Sequence, residues 1–312
     1  MPVVQPNEMD FTSKKFSMII SGSPGIGKTT LALSAPRPVL IDLDKGISRV
    51  QARHRKTAVI CDTYEQLKND LETPEVKAAE TIIIDTGGSL ITYMQDWAMR
   101  DNPGLNKQRN GSISLKGFGA VKGEFSKFTN HLQCIANKNI IYVFHTVEEK
   151  DKDNTKQRLM CEGAARNIVW QPCDLGCHMQ MIGDDRVLGF TPTEEYFAKG
   201  CYGITGLIKV PTLTPTSYNN FLTLLFDQAH ANIEAEKELY AEENALYESA
   251  METGRGLIIG ITDAVTAQAS GEAMKGIVHA LTSEKELRIA FTEQLAKTGL
   301  KYDKGVKGYV KA

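Results

Sequence analysis

The chain has 312 residues, 42% hydrophobic and 24% charged, enough to bury a sizeable core in one large domain or in a domain with an appendage. Lys+Arg 36 against Asp+Glu 38 leaves a formal charge of -2, which excludes a basic nucleic-acid coat and an acidic disordered tail, so any DNA or RNA contact has to be local. No apolar run approaches the roughly 18 residues that span a bilayer, and the opening MPVVQPNEMDF has neither a basic nor an apolar leader, so the expectation is a cytoplasmic protein with no membrane contact.

From Phe16, short apolar runs alternate with polar helical stretches. FSMII predicts a strand, and a Gly-rich turn leads into the helix TTLALSA. PVLIDLD and TAVIC predict two strands, YEQLKNDL a helix and TIIID a strand; after a long helical stretch, NIIYVF predicts another strand. This rhythm predicts an α/β fold with a mostly parallel central sheet flanked by helices. The unbroken runs TIIID and NIIYVF mark central strands covered on both faces.

Pro211 and Pro215 end the last strand pattern, GITGLIKV, and place a domain boundary there. The expected division is an N-terminal extension over 1–13, the core over 14–212 and a small helical C-terminal module over 213–312. In that module Phe221, Leu225, Ala229, Ile233, Tyr240 and Tyr247 recur at helical spacing. A later helix reads as capped by Ser283 with Glu286, with Leu287, Phe291 and Leu295 on one face and Gly299 as its C-terminal stop. Between Asp227 and Glu252 there are eight acids and one lysine, Lys237, a surface that should avoid DNA.

The strongest chemical signal is Gly22-Ser23-Pro24-Gly25-Ile26-Gly27-Lys28-Thr29, followed by Thr30. It fits G-x-x-x-x-G-K-[ST] and lies between a predicted strand and a predicted helix, as a phosphate-binding loop must. The glycines let backbone N–H groups converge on one concavity and the helix start adds positive potential. Lys28 reaches the β- and γ-phosphates, and the Thr29 hydroxyl is a ligand for Mg²⁺. Asp85, at the end of TIIID, is the expected metal carboxylate, with a helix cap as its other reading. The two motifs predict a nucleoside triphosphate, ATP rather than GTP, since no N-K-x-D-like guanine signature is present.

Hydrolysis also needs a base to orient water. Thr86, not a glutamate, follows Asp85. Asp42 and Asp44, at the end of PVLIDLD, share a face if the strand persists, and Asp44 is the candidate base; its alternative is a turn aspartate before Gly46. Glu148 and Glu149 are next in line. His145, after NIIYVF, stands where open α/β sheets bind ligands and is a candidate γ-phosphate contact, or else a structural histidine. Six dispersed cysteines predict reduced thiols, and Cys161, Cys173, Cys177 and His178 lack the paired spacing of a zinc site. The cluster Arg49, Arg53, His54, Arg55 and Lys56 reads as a solvated face.

GSPGIGKTT, IDLDKG, TIIIDTGGSL and IIYVFHTVEEKD, in this order, resemble the RecA-like core of phage ATPases, in particular the Sak-type single-strand annealing proteins, over about residues 14 to 210. The resemblance implies a RecA-like fold, ATP hydrolysis with Mg²⁺, assembly into a ring or filament, and DNA annealing or homologous recombination in a phage-encoded setting, hence the host cytoplasm. It places the hydrolytic carboxylate on Asp44 and the γ-phosphate reporter on His145, where RecA-type recombinases usually carry Glu and Gln. It also implies two DNA loops.

The first loop falls on residues 100–127, where Lys107, Arg109 and Lys116 supply phosphate contacts and Phe118 a stacking surface for single-stranded DNA, an ordinary solvated loop being the plain alternative. The second falls on Glu148 to Arg158, with Lys150, Lys152 and Lys156; these cations alternatively reach a neighbouring subunit's ATP. The tail is the expected docking module for a single-strand-binding protein or another recombination partner. Two rival readings are a translocating motor or remodeller, and a nucleotide-gated binding module with little turnover.

Overall fold

The computed structural model describes residues 9–151, 154–161 and 165–312. It divides into two units: Thr12–Asn232, and a second made of Ile233–Ala312 with residues 9–11. The first unit holds the chemistry.

Its sheet is built from β1 (Ser17–Gly22), β2 (Pro38–Asp42), β3 (Ala58–Val59), β4 (Thr81–Asp85), β5 (Asn139–Asp151), β6 (Asn154–Leu159), β7 (Leu175–Ile182), β8 (Asp185–Gly189) and β9 (Leu207–Val210). The order is β3-β2-β4-β5-β1-β7-β8-β9. The pairs from β3 through to β7 are parallel, and β7–β8 and β8–β9 are antiparallel. The expected mostly parallel sheet is therefore present. Beyond His145, β5 continues out of the sheet and pairs antiparallel with β6 as a hairpin.

On one face Ile19, Ile41, Ile82, Ile84, Ile140, Tyr142 and Phe144 pack against α2 (Tyr64–Asp70), α4 (Gly87–Asp101) and α6 (Leu115–Asn130); the short helix α1 (Lys28–Ala32) follows β1, and α3 (Pro74–Ala78) and α5 (Pro103–Asn106) fall between the longer helices in the chain. Leu90, Met94 and Ala98 of α4 and Val121, Phe125 and Phe128 of α6 supply the helical side at three-to-four spacing. The alternate strand residues Met18, Ile20, Leu40, Ile83, Ile141 and Val143 are fully buried as well, so both faces of the sheet are covered and the strands read as unbroken apolar runs.

The core extends past the expected boundary at Pro211. After α7 (Ala165–Ile168) and the three last strands comes α8 (Phe221–Ile259), whose first turns belong to the sheet unit. Leu222 N–H donates to the Ser34 hydroxyl, Thr223 Oγ1 donates to the Ser34 carbonyl, and the Phe226 ring lies 5.3 Å from that of Phe16. Apolar burial and capping by Ser34 outweigh the prolines, so the division falls inside α8 at Asn232.

The second unit has a small core of Met251, Ile258, Ala267, Leu287, Phe291 and Leu295 from α8, α9 (Ala264–Met274) and α10 (Ser283–Lys297). The chain then closes in a hairpin of β10 (Leu300–Asp303) and β11 (Gly308–Lys311), which the helical reading of the tail missed. The cap of α10 also shifts by one residue: Thr282 is the N-cap and donates to Glu286, while Ser283 is buried inside the first turn. Gly299 has φ 66°, the left-handed stop its position calls for.

A nucleotide-type cavity at the C-terminal ends of the central strands

β1, β5 and β4 lie side by side, so the phosphate loop after β1, His145 on β5 and Asp85 at the end of β4 converge at one end of the sheet. Two glycines fix the loop. Gly22 has φ 151°, and a Cβ there would sit 2.5 Å from the Met179 carbonyl oxygen; Gly27 has φ 105° and starts α1 in the left-handed region. Lys28 is 4% exposed and its ammonium donates to the carbonyls of Gly22 (2.9 Å) and Ser23 (2.8 Å) and to His145 Nδ1 (3.0 Å). An ammonium has no lone pair, so His145 accepts at Nδ1, which is the neutral imidazole. Burial and the neighbouring Lys28 both hold the His145 pKa below its ordinary value, in keeping with that state.

Thr29 Oγ1 donates to Asp85 Oδ2 at 2.5 Å. Burial pushes the Asp85 carboxyl up to about 6, the Thr29 hydroxyl opposes this, and the Asp44 and Asp42 carboxylates add to it. Burial likewise pulls the Lys28 ammonium down to about 8, with Asp85 partly offsetting it. Two oxygen donors, a hydroxyl and a carboxylate crowded by other carboxylates, suit a hard cation such as Mg²⁺.

Asp42 and Asp44 separate in role because β2 ends at Asp42. Asp42 is buried and its two oxygens accept from the Gly46 and Ile47 N–H groups at 2.8 Å each, capping the turn Ile47–Arg49. Asp44 lies beyond the strand, half-buried, where it accepts from the Ser89 hydroxyl and shares a cavity wall with Lys28, Asp85 and His145. The expectation that both share a strand face is corrected: the strand stops first, and the turn carries Asp44 into the site. Thr86 caps α4 by accepting from Ser89 N–H, so no carboxylate follows Asp85.

The cavity holds about 580 Å³. Beyond the phosphate loop and Thr30 its wall passes to Pro211, Leu213, Tyr218, Phe221 and Leu224, an apolar and aromatic end beside the polar one, and Tyr218 is 78% exposed there. Arg49 and His54 also line it, so part of the basic cluster faces the cavity rather than bulk solvent. Arg186 of β8 does the same. Sequence reading missed Tyr218, Arg49 and Arg186, since none lies in a motif; Arg49 stands in the turn that follows Asp44, and only the strand pairing and the chain's return bring Arg186 and Tyr218 here.

The other expected sites fare differently. Residues 100–127 are largely helical, not an open loop: α5 and α6 occupy most of them, joined by a Lys107–Ile113 bridge. Lys107, Arg109 and Lys116 are exposed, whereas Phe118 is half-buried against the core of the sheet. Glu149 of the β5–β6 hairpin is met by Arg158 of β6 and Arg166 of α7, and Arg158 lies over the Phe197 ring; Lys152 lies outside the described residues. Among the described residues no three His, Cys, Asp or Glu side chains cluster as a metal site. Cys173 and Cys177 are buried free thiols, and His178 bonds Ser21 Oγ at 3.2 Å.

The profile of a protein family described as an AAA domain matches residues 14–202. The chain belongs to that family. The matched span contains the phosphate loop, Asp44, Asp85 and His145, so the motif residues of this AAA domain are those that line the polar end of the cavity. No curated protein matches the chain. Among solved structures, the crystal structure of flagellar accessory protein FlaH from Methanocaldococcus jannaschii is similar at 12% identity, over 63% of this chain and 90% of that one, with a TM-score of 0.31. Among the described residues no helix is long and apolar enough to cross a membrane.

Proposed function

We propose that this AAA domain binds ATP with Mg²⁺ in the cavity above β1, β4 and β5, hydrolyses it, and couples that cycle to binding and annealing of single-stranded DNA. The observation that carries the nucleotide reading is the convergence of Lys28, Thr29, Asp44, Asp85 and His145, drawn from four separate stretches of chain, on one cavity. Thr29 and Asp85 would hold the metal, whose positive charge stabilises the triphosphate. Lys28 exchanges its bonds to the Gly22 and Ser23 carbonyls for phosphate oxygens. Asp44, released from Ser89, accepts a proton from the attacking water, and His145 reports the γ-phosphate along β5 to the hairpin that continues it. The nucleobase stacks on Tyr218 at the apolar end.

The DNA and recombination reading rests on the resemblance to Sak-type phage proteins and on the exposed cations Lys107, Arg109 and Lys116. On that reading the protein forms homo-oligomers and docks a recombination partner through its C-terminal unit. Steady-state ATPase rates without DNA, with oligo(dT) and with duplex, beside annealing of complementary oligonucleotides, test it. Stimulation by oligo(dT) and faster annealing are expected; ATPase activity indifferent to DNA and no annealing would overturn the DNA part.

A second reading has its own support. Asp44 is held by Ser89 and Lys28 by His145, a self-satisfied arrangement that suits a nucleotide-gated binding module with slow turnover. Tight ATP binding without measurable phosphate release selects it.

A further inference from the structure

The cavity carries Asp44 and Asp85 beside Lys28, so one motif cation faces two carboxylates. A magnesium-bound triphosphate brings two further net negative charges, and an anion of that kind calls for additional cations close to the loop. Arg49 and Arg186 both stand on the cavity wall, and Arg186 is the one bonded to the phosphate loop itself.

Two strand pairings deliver it. Gly22 of β1 is in register with Met179 of β7, and Met181 of β7 is in register with Arg186 of β8, so the end of β8 is fixed beside the phosphate loop. Arg186 Nε donates to the Ile26 carbonyl at 2.9 Å. Its Nε stands 3.6 Å from where a Cβ on Gly27 would be, directly before Lys28. The neighbouring Asp185 is occupied by Lys209 at 2.6 Å, and among the described residues no acceptor is bonded to the two Nη atoms of Arg186. A guanidinium tied by one nitrogen and offering the other two is pre-organised for bidentate contact with a phosphate.

We propose that Arg186 is a phosphate ligand acting in cis: a second cation, opposite Lys28, that holds the β- or γ-phosphate from the same chain whose loop binds it. The proposal rests on the ATP reading above, which titration of the wild-type protein checks first. If wild type binds no nucleotide, that reading has failed; if wild type binds and the Arg186 variants do not differ from it, this one has.

The experiment measures ATP and ADP affinity and turnover in Arg186→Ala, Arg186→Gln and Arg186→Lys, with circular dichroism to confirm folding. Arg186→Ala should weaken ATP binding about ten- to a hundredfold, the range of one charge-assisted bond. An equal loss for ADP places the contact on the β-phosphate, and a loss confined to ATP places it on the γ-phosphate. Glutamine keeps an N–H for Ile26 but not the charge. It should therefore behave like alanine, and lysine should recover part of the affinity; wild-type affinity in Arg186→Gln would reduce the residue to a loop tie and overturn the proposal.

Mixing Arg186→Ala with Lys28→Ala protein separates cis from trans. An arginine serving a neighbouring subunit would raise turnover in the mixture above that of the two variants measured separately, whereas one acting in cis leaves it at their sum.

Discussion

The phosphate loop and residues 100–127 were both read from charged and glycine-rich sequence, yet they fold in opposite ways. In the loop each polar group is placed by buried neighbours: Lys28 by two carbonyls and His145, Thr29 by Asp85. In residues 100–127 the cations stand on a helical surface and the aromatic residue turns inward to the core. Burial specifies geometry and solvent does not, so a motif embedded between a strand and a helix predicts a site, while a basic stretch predicts only charge.

The largest expected effect that sharpens this contrast is on turnover. Asp44→Asn keeps the Ser89 bond and the shape of the wall but removes the base, so phosphate release should fall about 10²- to 10⁴-fold with ATP affinity nearly unchanged. Unchanged release would move the base elsewhere. Tyr218→Ala should weaken ATP about ten- to a hundredfold through lost stacking, by analogy with bases stacked on aromatic side chains. Equal affinity for ATP and for free triphosphate in both proteins would remove the base platform.

How much of this was legible in sequence divides along the same line. β1, β2, β4 and the first half of β5 were legible because both faces are covered and the runs are apolar throughout. β6 to β8 and the β10–β11 hairpin were not, because their pairing depends on partners distant in the chain or on a short turn rather than on local periodicity. Lys28, Thr29 and Asp85 were legible through fixed spacing next to predictable elements. Arg186 and Tyr218 reach the site from more than 150 residues away, and only the register of β7 with β1 and the return of the chain into α8 bring them there.

A smaller effect tests the buried side of the comparison through pH. Folded Asp85 has its carboxyl raised to about 6 from an ordinary 3.8, so between those values the folded state binds the extra proton and stability falls as pH rises. Asp85→Asn removes that penalty. The nucleotide-free variant should gain stability relative to wild type as pH rises from about 4 to about 6, on the order of 3 kcal/mol, measured by denaturant unfolding at each pH. A difference that does not change with pH would mean Asp85 is solvated rather than buried among carboxylates.

On the exposed side, Lys107, Arg109 and Lys116 replaced together by Ala should shrink the slope of log affinity against log salt for oligo(dT) by up to about two units, and leave ATP affinity alone. Phe118→Ala should instead cost about 1–3 kcal/mol of folding stability, because the ring packs on the core. An unchanged slope would make the three cations plain surface charge.

The central claim is that the loop over 22–29 is a nucleotide site held by Lys28. Titration of a fluorescent ATP analogue with Mg²⁺ into wild type and Lys28→Ala, competed by unlabelled ATP, tests it most directly. Saturable, competable binding to wild type is predicted, weakened at least about a hundredfold in Lys28→Ala, since the variant leaves the β- and γ-phosphates without their buried ammonium. Equal binding by the two proteins, or none by wild type, would contradict it.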